Sequence, residues 1–202
     1  MFINLHNFLA RSRANGPGER AIIWVQGCPR KCAGCFNPKS QEFTARELVT
    51  VDDLESRIMA IKRIDGVTFS GGEPFAQAEA LAELAKKIHD LGLTVVCYTG
   101  YTVEQLRVAN RQDWNALLSE VDLLIDGPFI ESERCYEPYR GSLNQKFYFL
   151  SGRILPKDVA GNPQTAEISL DLSGAITQTG FPDEVKDFEI LLAQASEGGK
   201  NE

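Results

Sequence analysis

The sequence has only two histidines, His6 and His89, and neither stands in a metal-ligand pattern. That argues against an imidazole-built metal centre. It has no excess of basic residues: 21 Lys and Arg against 28 Asp and Glu leave a net charge of -7. Such a surface has no special attraction for nucleic acid or an anionic membrane. No apolar run is long enough to cross a bilayer. The start, Met1-Phe2-Ile3-Asn4-Leu5-His6, lacks the basic head and long apolar stretch of an export signal. No internal repeat is present. Cysteines number five in 202 residues, and nothing suggests an oxidising compartment in which they would pair. These absences predict a domain of the reducing cytoplasm with free thiols. Apolar residues at 43% and charged residues at 24% are ordinary and allow a sizeable core.

What the chain does have is a cysteine cluster. Cys28, Cys32 and Cys35 fall in Gly27-Cys28-Pro29-Arg30-Lys31-Cys32-Ala33-Gly34-Cys35-Phe36-Asn37-Pro38, spaced C-x3-C-x2-C. Its Gly and Pro content makes a loop rather than a helix or strand. Three thiolates aimed at one point suit an iron–sulfur cluster or zinc. A closed cluster or a structural zinc site takes four ligands. The other cysteines, Cys97 and Cys135, are distant from the loop and from each other. The spacing therefore favours a 4Fe-4S cluster with one iron left open. A small molecule with an amine and a carboxylate, such as S-adenosylmethionine, can chelate that iron. An open iron is also oxygen-sensitive, so a low-oxygen or protected setting is expected. A zinc knuckle is the plainer alternative and lacks its fourth ligand; a disulfide reading leaves one of three thiols over.

Residues 8–19 read as a loop hinged at Gly16-Pro17-Gly18, and residues 20–26 as the first buried strand, ending at the cysteine loop. Residues 39–49 read as irregular. A capping box at Thr50 opens a helix over 51–63. Strand 66–70 runs into Gly71-Gly72-Glu73-Pro74, whose glycines let backbone approach a ligand. Then come helix 75–91, strand 93–98, short helices after Thr102 and over 113–120, and strand 121–126. Asp126, at that strand's C-terminal end, can face the same mouth as the cysteines, while Asp122 reads as structural. Residues 130–145 read as irregular and 146–150 as a fifth strand. The β–α alternation implies a mostly parallel sheet with helices outside, where sites sit at the carboxyl ends of the strands. Beyond a linker at 151–164, residues 167–172 and 175–179 alternate apolar and polar residues around Ser173-Gly174, as in a β-hairpin. Residues 183–195 have the pattern of an amphipathic helix, and 197–202 that of a disordered tail. The division expected is 1–150 as the main domain and 151–202 as an extension.

These motifs resemble the radical SAM superfamily. Within it they are similar to the glycyl-radical-enzyme activating enzymes, and most to the short activators of anaerobic (class III) ribonucleotide reductase. The resemblance covers roughly residues 1–150. It rests on Asn15-Gly16-Pro17-Gly18-Glu19-Arg20, the cysteine loop, Ser70-Gly71-Gly72-Glu73-Pro74, Tyr98-Thr99-Gly100-Tyr101, Asp126-Gly127-Pro128-Phe129 and Arg140-Gly141-Ser142-Leu143-Asn144-Gln145. It implies an α/β fold, an incomplete (βα) barrel of mostly parallel strands, here with a small C-terminal β-hairpin extension. Cys28, Cys32 and Cys35 match the cluster ligands. Ser70, Gly71, Gly72 and Glu73 match the segment that receives the S-adenosylmethionine amino group. Thr99 and Asp126 match positions near its ribose or carboxylate. Phe36 stands beside the cofactor in the Gly-Cys-aromatic-Asn order of the short activators. Larger activators carry Asp-x-Lys where this chain has Asp126-Gly127-Pro128, so no lysine contact is expected.

The resemblance further implies reductive cleavage of S-adenosylmethionine and hydrogen abstraction from a glycine of a separate glycyl radical enzyme. It also implies flavodoxin or ferredoxin as electron donor. Two other readings remain: a radical SAM enzyme acting on another peptide, small molecule or nucleoside, and a non-enzymatic iron–sulfur protein.

Overall fold

The computed structural model describes residues 1–160, 166–170 and 176–181. The chain opens with strand β1 (Phe2–Ser12), followed by β2 (Arg20–Val25), β3 (Glu47–Thr50) and helix α1 (Val51–Met59). Then come β4 (Gly66–Gly71), α2 (Ala78–Asp90), β5 (Thr94–Tyr98), α3 (Val103–Ala109), α4 (Gln112–Glu120), β6 (Leu123–Asp126) and β7 (Lys146–Phe149). One helical turn, α5 (Pro156–Val159), precedes β8 (Ala166–Leu170) and β9 (Ile176–Gly180).

The main sheet has the order β3-β1-β2-β4-β5-β6-β7. Its centre, β2-β4-β5-β6, is parallel, while β1, β3 and β7 pair antiparallel on the flanks. Every residue of β2 (Arg-Ala-Ile-Ile-Trp-Val) is buried, as in a strand covered on both faces. Side chains alternate between those faces. Ile23, Phe69, Cys97 and Leu124 pack with Leu54 of α1 and Leu84 of α2. Val96, Tyr98, Leu123 and Ile125 point the other way and are covered by Tyr139 and Ile154. Thr50 and Thr102 cap α1 and α3, the latter in a full capping box with Gln105.

Several boundaries differ from expectation. Residues 8–12, read as loop, complete the long strand β1. Register shifts between Leu5/Asn7 and between Leu9/Ser12 interrupt its alternation, and its exposed residues blur the apolar signal. Residues 39–49 are not wholly irregular: they hold a 3-10 turn (Pro38–Ser40) and the start of edge strand β3. The first helix stops at Met59, short of residue 63. The fifth expected strand, β7, runs antiparallel to β6. Strands β8 and β9 pair antiparallel to one another. The expected turn at Ser173-Gly174, the helix 183–195 and the tail lie outside the described residues.

Arg20 secures the amino ends of the parallel strands. Its side chain is fully buried and makes five hydrogen bonds. Nε donates to Thr68 Oγ1 (3.0 Å); Nη1 donates to the Pro17 carbonyl (3.0 Å) and Thr94 Oγ1 (3.0 Å); Nη2 donates to the carbonyls of Val67 (3.0 Å) and Thr94 (2.7 Å). Burial pulls its pKa down to about 10, but the guanidinium fork meets an acceptor at each donor. Lysine has three donors and no fork. Arg20→Lys is expected to lower stability by about 2–4 kcal/mol in urea unfolding, through acceptors left unmet. An unchanged midpoint would contradict this role.

Candidate active site

The carboxyl ends of β2, β4, β5 and β6 lead into four loops around one cavity of about 460 Å³. Cys28, Cys32 and Cys35 line it, together with Ser70 to Glu73, Thr99, Gly100 and Gly127. The cysteine loop is tied at its base. Gly27 N donates to the Ser40 carbonyl (2.8 Å) and Cys28 N to the Gln41 carbonyl (2.9 Å). Gln26 Nε2 reaches the carbonyls of Lys39 (3.3 Å) and Glu42 (2.7 Å). The loop thus leaves and re-enters at one point, with the three thiols on the arc between.

The Gly71-Gly72-Glu73 turn presses directly on that base. Gly72 N donates to the Val25 carbonyl (2.7 Å) and Glu73 N to the Gly27 carbonyl (2.8 Å). A Cβ on Gly72 would lie 2.3 Å from the Gly27 carbonyl oxygen and 2.9 Å from that of Ser40. Both are backbone atoms that cannot step aside, so only glycine permits the approach.

Glu73 points inward and is fully buried. Its Oε1 accepts from Phe75 N (3.0 Å) and Thr99 Oγ1 (2.8 Å), and its Oε2 from Gly100 N (2.8 Å). The carboxylate therefore locks the loop after β4 to the loop after β5. Burial raises its pKa to about 7, against the lowering by its three donors. Thr99 lines the cavity with its hydroxyl engaged, donating to Glu73 and accepting from Tyr101 N (3.1 Å).

Asp126 ends β6 as expected, and its side chain is buried. Its Oδ2 accepts from Val103 N (2.7 Å) and its Oδ1 from Lys146 N (3.3 Å). The carboxylate is spent on the first turn of α3 and on β7, and Gly127, not Asp126, reaches the cavity wall. Phe36 lies in the wall, edge-on to Phe129 with centroids 4.9 Å apart. Asp122 is buried and structural: it accepts from Val95 N (2.7 Å), Ser151 Oγ and His89.

Two cavity-lining cations were not singled out from the sequence. Arg30 stacks over Tyr101 at 5.0 Å, and Arg134 over Phe36 at 4.9 Å and Phe129 at 5.1 Å. Arg30 had a signal in its position inside the cysteine loop. Arg134, in an irregular segment, had none.

The donor set, three soft thiols from one loop at one cavity, fits an iron–sulfur cluster. Burial, with the Glu73 charge, pushes the Cys28 thiol up. A metal's positive charge would reverse that by favouring the thiolate.

Residues 14–148 match the family described as the 4Fe-4S single cluster domain. The anaerobic ribonucleoside-triphosphate reductase-activating protein of Vibrio cholerae is 32% identical over 160 residues, spanning 71% of this chain and 96% of the relative. The chain belongs to this family. Its counterpart in Haemophilus influenzae is 36% identical over 146 residues, 65% of this chain and 88% of the relative. That of Escherichia coli K12 is 29% identical over 163 residues, 73% and 99%. The crystal structure of QueE from Escherichia coli overlaps 50% of this chain and 54% of its own, with 20% identity and a TM-score of 0.41.

The buried Glu73 carboxyl has a pH consequence. Its folded pKa, about 7, stands above the ordinary 4.5. The unfolded chain ionises first, so the contribution to stability is full below about 4.5 and is lost as pH rises through about 7. The urea midpoint of the metal-free protein, taken relative to Glu73→Gln, should fall across that window and level off above it. A difference that stays constant with pH would show that Glu73 does not titrate there.

Proposed function

We propose that this family member is a radical SAM activase that generates the glycyl radical of an anaerobic ribonucleotide reductase. The observation that carries this reading is the meeting, in one cavity, of three cysteines with the glycine turn after β4. No fourth cysteine and no histidine lines that cavity among the described residues.

Cys28, Cys32 and Cys35 would hold a 4Fe-4S cluster by three irons, leaving the fourth for S-adenosylmethionine. Together they would supply one-electron reductive cleavage of S-adenosylmethionine, and with it hydrogen abstraction from a glycine Cα of the partner. The backbone of Ser70, Gly71 and Gly72 would receive the amino group of S-adenosylmethionine. Glu73 holds that turn and the Thr99-Gly100 turn at a fixed spacing, acting from within the protein. Thr99 would orient the ribose or carboxylate. Asp126 sets the start of α3 and the adjacent Gly127 wall. Phe36 and Phe129 would give the cavity an apolar wall that limits the entry of water.

The open strand order, with its four parallel central strands and their carboxyl ends at the cavity, supports an incomplete (βα) barrel. Residues 1–150 would form the catalytic domain and 151–202 an extension. The electron donor would be flavodoxin or ferredoxin, in the cytoplasm. No helix among the described residues is long and apolar enough to cross a membrane.

Anaerobic reconstitution with iron and sulfide, reduction, and addition of S-adenosylmethionine should release 5′-deoxyadenosine. With the candidate reductase present, a glycyl doublet should appear in the EPR spectrum. Cleavage without a doublet on any candidate partner would favour another substrate. No cleavage by cluster-loaded protein would leave an iron–sulfur protein without this activity.

A further inference from the structure

The matched family segment ends at residue 148, yet later residues help to build the cavity. Gln178, Thr179 and Gly180 of β9, and Phe181 after it, line it with the cysteines. Phe181 stands edge-on to Phe36 with ring centroids 5.0 Å apart, and is tilted against Tyr98 at 6.0 Å. Phe36 follows Cys35 directly in the chain. At Gly141 a Cβ would lie 2.7 Å from the Phe36 ring and 3.1 Å from that of Phe181. The bare backbone there makes room for both rings.

Polar contacts hold strands β8 and β9 to the segment after β1. Asn15 Nδ2 donates to Thr179 Oγ1 (2.6 Å), with both residues buried, and Arg13 N donates to Glu167 Oε2 (2.9 Å). Strands β8 and β9 pair with each other and with no strand of the main sheet. A two-stranded hairpin is marginal by itself. Its seat therefore depends on its contacts with the rest of the protein, those of Phe181, Thr179 and Glu167 among them, and Phe181 touches the cavity wall.

We propose that Phe181 is a positioning residue of the cluster site: packed on Phe36, it walls the cavity beside Cys35 and limits the access of water to the three half-buried thiols. The redox part of this proposal rests on the cluster reading above; the shielding of the thiols does not. Solvent exposure is one of the factors that set a cluster's potential. Water stabilises the more negative, reduced state, so opening the wall raises that potential.

The test compares Phe181→Ala with Phe181→Leu, which restores an apolar plug, and with Thr179→Val, which loses the Asn15 contact but keeps every ring. In metal-free protein, iodoacetamide labelling of Cys28, Cys32 and Cys35 is followed by mass spectrometry. Buried Cys97 reports any global opening. An aromatic edge contact shifts a docking equilibrium by roughly two- to tenfold. Labelling of the loop cysteines should quicken by that factor in Phe181→Ala and Thr179→Val, return towards wild type in Phe181→Leu, and leave Cys97 unchanged. In reconstituted protein of equal iron content, the reduction potential should rise in Phe181→Ala and recover in Phe181→Leu. Unchanged labelling and potential would overturn the proposal. So would Cys97 reacting as fast as the loop in both Phe181→Ala and Thr179→Val, which would make the hairpin a support of the whole fold. Wild-type protein that takes up no cluster would instead overturn the function, while the labelling result would still decide the shielding.

Discussion

Glu73 carries the constraint on which the candidate site depends. Its amide grips the carbonyl of Gly27 at the root of the cysteine loop, and its carboxylate grips Thr99 and Gly100. One residue thus fixes the relative positions of the loops leaving β2, β4 and β5. A fully buried carboxyl is costly unless each oxygen is met, and here three donors meet it. The contact is possible because Gly72 brings no Cβ against the backbone of Gly27 and Ser40. The glycines therefore shape protein–protein contact within the turn as well as leaving backbone open to the cavity.

The sheet has a polar lock at each end. Arg20 joins the amino ends of the parallel strands, and Glu73 joins the carboxyl ends. The Arg20 lock serves stability, because its donors are all spent on the protein. The Glu73 lock frames an opening lined by three thiols. This division follows the general geometry of parallel α/β folds, in which loops at the carboxyl ends carry the chemistry and the other end carries the fold.

The cysteine loop, the glycine turn and the central strands were legible in sequence because each has a local cause. Spacing marks a candidate ligand set, paired glycines mark close approach, and runs such as Ala-Ile-Ile-Trp-Val mark a buried strand. Caps at Thr50 and Thr102 were legible for the same reason. Strand β1 was not, because register shifts and exposed positions broke its alternation. Asp126 showed its place at a strand end but not the direction of its carboxylate, which depends on where α3 begins. Arg134 and Phe181 reach the cavity only through tertiary packing, and no local pattern announces that. The extension was readable as two alternating segments; its contact with Phe36 joins residues far apart in the chain.

The central claim is a cluster held by three cysteines with one iron free for a small-molecule ligand. Mössbauer spectroscopy of the anaerobically reconstituted protein, before and after S-adenosylmethionine is added, tests it most directly. The account predicts a cubane in which one iron of the four changes its parameters on addition while the other three keep theirs. Four irons indifferent to S-adenosylmethionine would contradict it, as would a protein that takes up zinc and assembles no cluster.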